Sequence, residues 1–189
     1  MSWEIKAAAL HGTLETLRKR GLYEAVRADV SAAMGAMMDD PPLRTAWVPC
    51  ARLAEIDEAI LKREGAAYLR EFSRDAAMVG AVPAFFSLIQ GMLRLFGANP
   101  SSFLERITPL LANQTHGITH RYERVDERRG RFVARYEGTE RVPDAMLVAF
   151  GGVLEIVFEL CEVRATGSVS EPLVQRAGDH TSVQWELRW

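Results

Sequence analysis

His116 and His120 stand four residues apart, the spacing that on a helix would place two imidazoles on one face and let them share a metal ion. Gly117 lies between them, and the alternating pattern that follows is a strand's, so we read them as solvent or hairpin histidines. His11 and His180 have no cysteine or carboxylate at ligand spacing, and no metal site is expected. Cys50 and Cys161 form no C-x-x-C pair and have no neighbouring histidine. They read as two reduced, buried thiols. No Gly-x-Ser-x-Gly elbow, phosphate-binding loop, dinucleotide-binding turn or paired-carboxylate signature is present, so no catalytic residue is assigned and an enzyme is not expected.

Two other groupings remain. Arg121, Arg124, Arg128, Arg129, Arg131, Arg135 and Arg141 cluster tightly, but Glu123, Asp126, Glu127, Glu137 and Glu140 are interleaved with them. That pattern suits a solvated hairpin with cross-strand ion pairs better than a nucleic-acid surface. Phe85, Phe86, Phe96 and Phe103 are aromatic residues at helical spacing that either fill a core or line an apolar pocket. Sequence does not separate the two.

The chain has 189 residues, 48% hydrophobic and 25% charged, with 25 acidic against 23 basic side chains. Disordered, collagen-like and disulfide-scaffold classes are excluded, and the near-neutral balance argues against a nucleic-acid partner. Glu4 and Lys6 precede only a short apolar run, Ala7 to Leu10, so export is not expected and a cytoplasmic location is. Ala76 to Leu93 carries no charge but contains Gly80, Pro83, Ser87, Gln90 and Gly91. It reads as two buried helical segments meeting at Pro83, not a membrane span.

The elements that would position these residues follow from periodicity. Residues 3–10 read as a short first strand, a helix through Thr13 to Arg20 stops at Gly21, and Leu22 to Met38 continues as helix until Asp39-Asp40-Pro41-Pro42. A helix after Trp47-Val48-Pro49 carries Leu53, Ile56, Ile60 and Leu61 on one face and ends at Gly65, and Ala66 to Val79 forms the next. Pro83 to Phe96 follows, then a helix capped by Asn99-Pro100 that presents Phe103, Leu104, Ile107, Leu110 and Leu111. From Gly117 the period changes: Ile118, His120 and Tyr122 alternate, as do Phe132, Ala134 and Tyr136, around a loop at Asp126 to Gly130. Pro143 to Val163 is helical again, with Gly151-Gly152 permitting close packing. Ser168 to Gln175 and Thr181 to Trp189 then form a second hairpin. The expected fold is one α+β domain over 1–189: a helical half, 1–115, then hairpin, helix and hairpin, 116–189, with an antiparallel sheet covered by helices.

That order, together with Tyr136-Glu-Gly-Thr-Glu-Arg141 closing the first hairpin and Ala145-Met-Leu-Val-Ala-Phe-Gly-Gly-Val-Leu154 in the following helix, resembles the heme NO/oxygen-binding sensor domains. It is similar also to their non-heme relatives, the 4-vinyl-reductase-type domains and the transport-particle subunits of vesicle tethering. Trp47-x-Pro49, Gly91-x-x-x-x-Phe96 with Pro100, and the terminal Trp189 look closest to a branch of this superfamily abundant in myxobacteria. In heme members a proximal His on the helix before the first hairpin ligates iron, and a Tyr-x-Ser-x-Arg motif holds the propionates. Here Tyr136 and Arg141 stand where that motif belongs, one residue too far apart and without the serine, and Pro100 to Ala112 contains no His. The resemblance therefore implies the fold without heme.

It also implies an apolar cavity in the helical half, with Phe85, Phe86, Phe96, Phe103, Tyr136, Arg141 and Cys161 as candidate lining residues. Cys161 is an acylation or zinc position in some relatives, but its inward phase here suits packing. We expect a non-enzymatic signalling domain holding a small hydrophobic ligand or a protein partner. The competing expectation is a scaffold that dimerises as the tethering subunits do, with a filled core and no ligand.

Overall fold

The structure, a computed structural model, describes residues 3–80, 82, 83, 89, 91, 93–95 and 98–189. Phe85, Phe86 and Phe96, and most of the helix expected over Pro83 to Phe96, lie outside the described residues. The chain runs β1 (Glu4–Lys6), α1 (Ala8–Lys19), α2 (Tyr23–Asp29), α3 (Ala32–Asp39), β2 (Trp47–Pro49), α4 (Cys50–Glu64), α5 (Ala66–Gly80) and α6 (Pro100–Leu111). It continues through β3 (Thr115–His116), β4 (Ile118–Arg124), β5 (Arg129–Glu137), α7 (Asp144–Leu160), β6 (Ser168–Val169), β7 (Leu173–Ala177) and β8 (His180–Arg188). The expected α+β class is the observed one.

The strand expected over residues 3–10 ends at Lys6 and α1 begins at Ala8, where Leu10, Leu14 and Leu17 bury one helical face. Three further departures have local causes. The helix expected over Leu22 to Met38 is two helices. β-branched Val30 is extended, and the Ser31 hydroxyl caps α3 by accepting from the Met34 N–H at 3.2 Å, while Glu55 accepts from the Ser31 N–H at 2.9 Å. The first 115 residues are not only helix, because Trp47–Pro49 pairs with β1, which also pairs with β3. This small antiparallel sheet matches Ile5 with both Val48 and Thr115. Finally, the strand expected over Ser168 to Gln175 breaks into β6 and β7 around Pro172, which has no N–H to donate to a ladder. Both pieces pair with β8.

The main sheet is antiparallel in the order β4-β5-β8-β6, with β7 also on β8. Its register sets Phe132 opposite both Tyr122 and Trp185, and Ala134 opposite Val183, so one face is apolar along its length. Two buried clusters result. One joins that sheet face to α6 and the side of α7 bearing Leu147, Leu154 and Phe158. The other joins α1 to α5 with Ala145 and Ala149 on the opposite side of α7. No helix among the described residues is long and apolar enough to cross a membrane.

The helices approach closely where they lack side chains. A Cβ at Gly152 would overlap the Arg70 carbonyl of α5, and one at Gly12 would overlap the Ala76 carbonyl. Gly151, by contrast, has 3.5 Å of clearance to the movable Arg70 guanidinium. We therefore expect Gly152→Ala to cost about 2–3 kcal/mol through forced separation of α5 and α7. Gly151→Ala should be neutral or gain up to about 1 kcal/mol from helix propensity. Urea unfolding of the two variants checks this.

Candidate ligand-binding cavity

Between the helical layer and the sheet lies a cavity of about 290 Å³, at the lower end of the range for small-molecule sites, roughly 300–1,000 Å³. Each wall follows from a periodicity. On α4, Cys50, Leu53 and Asp57 recur at three- and four-residue steps and face it together. α6 contributes Phe103, Leu104 and Ile107; β4 contributes Ile118 and His120 by alternation; β5 contributes Phe132 and Tyr136; α7 adds Phe150 and Val157.

Within this apolar lining the polar groups are few, and two of them stand alone. Asp57 makes no hydrogen bond or ion pair among the described residues. Burial pushes its carboxyl up to about 8, with the Glu58 carboxylate adding to the shift. His120 lies between Phe132 and Phe150, ring centroids 5.8 and 5.9 Å away, and its Nδ1 has no hydrogen-bond partner. Burial holds its imidazole down to about 4, so it is neutral at ordinary pH. The Cys50 thiol is pushed up to about 12 and the Tyr136 hydroxyl is raised further, both by burial. Tyr136 also meets Trp3 edge-on at 5.2 Å, and the Trp3 indole donates to the Glu137 carbonyl at 2.7 Å.

The sequence-derived residues separate. Phe103 and Tyr136 border the cavity. Arg141 does not: it is exposed, bonded to Asp144 at 2.8 Å, and borders a different, shallow depression beside Glu58 and Lys62. Cys161 is buried in the sheet-side core, and burial raises its thiol to about 11. His116 is exposed as expected, stacked on Trp47 at 3.5 Å with Glu4 at 3.4 Å. His120 lies in the hairpin, on β4, but not in solvent, because the phase it shares with Ile118 carries it against Phe132 and into the wall. His11 contacts the Pro42 carbonyl and His180 contacts Asp179. The arginine-rich hairpin is ion-paired, Arg131 with Glu123 at 3.3 Å and Arg129 with Asp126 at 2.5 Å. Asp57 went unremarked in the sequence, although it interrupts the stripe of Leu53, Ile56, Ile60 and Leu61 where a charge is out of place.

No family model and no curated protein matches the sequence. Solved structures do match its shape. An oxygen-binding H-NOX domain related to soluble guanylate cyclases superposes with a TM-score of 0.65 at 13% identity, covering 97% of this chain and 94% of its own. An H-NOX domain of T. Tengcongensis gives 0.66 at 13%, covering 97% of both chains. A third H-NOX domain, carrying a cyano-phenylalanine, gives 0.67 at 12%, covering 97% of this chain and 96% of its own. This chain has the H-NOX fold.

The imidazole that borders the cavity among the described residues is that of His120 on β4, not one from α6. α6, where heme members carry the proximal His, presents Phe103, Leu104 and Ile107. No Lys or Arg lines the cavity among the described residues to meet two propionates, and Arg141 is bonded elsewhere.

The two perturbed groups titrate with opposite signs. His120 resists protonation in the fold, so stability falls as pH drops from about 6.5 toward about 4. Asp57 resists deprotonation, so its contribution is whole below pH 3.8 and is lost as pH rises toward about 8. Asp57→Asn should therefore stabilise the protein at pH 7 relative to pH 4, by ~2 kcal/mol or more. Urea unfolding at both pH values measures the difference.

Proposed function

We propose that this chain is a ligand-binding signalling domain of the H-NOX fold whose cavity takes a small, largely hydrophobic organic molecule in place of heme. The observation that carries this reading is the apolar cavity itself, walled by Phe103, Phe132, Phe150 and Val157, in a fold whose solved members are described as heme and oxygen binders. A ligand there touches α6, α7 and both strands of the first hairpin at once. Its arrival can shift the helical layer against the sheet and so change the outer surface offered to a protein partner. A space of this size argues against the alternative of a filled, ligand-free scaffold, since protein interiors are otherwise close-packed. Nucleophile-and-base chemistry has no support in the wall, where Cys50 is held as a thiol and His120 carries no orienting carboxylate.

Native mass spectrometry of the purified chain tests the reading. We expect a bound mass of small-molecule size that disappears on denaturation, or one that appears on exposure to hydrophobic small molecules. A chain that stays bare throughout would contradict it.

A further inference from the structure

We propose that the cavity selects a hydrophobic amine, whose ammonium group pairs with the carboxylate of Asp57 while its apolar body occupies the space beside α6 and α7. This rests on the cavity being a ligand site, and it adds the chemical class of the ligand.

Asp57 is the carboxyl group in the wall, and nothing among the described residues answers it. The charged groups on the elements packed against α4 are engaged elsewhere or turned outward. On α2, Arg27 pairs with Asp39 and Asp29 with Arg63, while Glu24 is exposed. On α5, Arg70 and Arg74 pair with Glu155 of α7, Arg74 also lies near Glu159 of α7, and Glu71 and Asp75 are held by Arg20. At the start of α7, Asp144 pairs with Arg141, and β2 carries no charge. On α4 itself Arg52 pairs with Glu55, and Glu58 and Lys62 are exposed outside the cavity.

The other titratable groups in the wall, Cys50, His120 and Tyr136, are neutral near pH 7 for the reasons given above. Among the described residues the wall therefore holds one group able to carry a charge near neutral pH, and that charge is negative. A carboxylate in an apolar cavity without a counter-ion is costly, and an ammonium removes the cost while adding short, charge-assisted hydrogen bonds. An ammonium has three donors, and the hydroxyls of Thr13 and Ser73, which border the same cavity from α1 and α5, supply further acceptors. A carboxylate ligand meets no cation among the described residues of the wall, and opposite it Asp57 is itself ionised in part at pH 8. Docking is a proton exchange with no other bond change: Asp57 gives its proton to solvent as the ammonium pairs with it.

Calorimetric titration of the whole chain with octylamine, 1-octanol and octanoate separates the classes. Octylamine should bind at least about tenfold tighter than 1-octanol at pH 8, and octanoate most weakly. Its affinity should rise about tenfold per pH unit from pH 6 to 8 and then level off, while that of 1-octanol stays flat. Asp57→Asn should remove the advantage of the amine and leave 1-octanol within about twofold. Equal binding of amine and alcohol, or an amine affinity unchanged in the variant, overturns the assignment of class and leaves the cavity a ligand site. No binding by any of the three overturns the site as well. If the variant does not fold, the pH profiles of the unmodified chain decide on their own.

Discussion

The helix Asp144–Leu160 must bury apolar side chains on opposite sides at once, and the remaining elements are arranged to let it. Leu147, Leu154, Val157 and Phe158 belong to the sheet-side core, while Ala145 and Ala149 belong to the helical core. Small residues on the helical side allow α5 to approach until Gly152 lies against the Arg70 backbone. The same arginine then reaches across to Glu155 at 2.9 Å and to the Val169 carbonyl at 3.1 Å, tying helix layer, central helix and sheet edge together. Where α7 bears larger side chains, the two layers cannot close completely, and the space left between α4, α6 and β4 is the cavity.

That space is unusual less for its size than for its electrostatics. Apolar walls weaken solvation of any ionisable group that borders them, and Asp57 and His120 respond in opposite directions, one keeping its proton and the other refusing it. Asp57 and the His120 Nδ1 have no hydrogen-bond or ion-pair partner among the described residues. Unpaired polar groups facing an apolar cavity are a standing cost to stability, tolerated where a ligand completes them.

Much of this architecture was legible from periodicity. The change from a helical to an alternating pattern at Gly117 located the first hairpin, and Asn99-Pro100 marked the start of α6, where the Asn99 side chain accepts from the Ser101 and Ser102 N–H groups. Elements fixed by distant contacts were not legible. Trp47–Pro49 is a strand only because Ile5 lies opposite Val48, a pairing between distant segments that leaves no local pattern. The split at Val30 and Ser31 likewise depends on Glu55 bonding the Ser31 N–H from another helix. At the site, the phase of β4 set His120 on the side of Ile118, yet it read as a solvent or hairpin histidine, because Phe132 and Phe150, which flank it, come from other elements. Arg141 misled because motif order suggested a ligand role, whereas an exposed carboxylate three residues on, Asp144, holds it.

On the reading proposed here, the cavity of this H-NOX fold takes an organic molecule and not heme. Titration of the purified chain with hemin, followed by absorption near the Soret band, addresses it directly. We expect no saturating one-to-one complex with a sharpened, shifted band, because α6 offers no imidazole and no Lys or Arg borders the cavity among the described residues. A stoichiometric complex of that kind, lost on replacing His120 with alanine, would contradict the claim and make His120 an axial ligand.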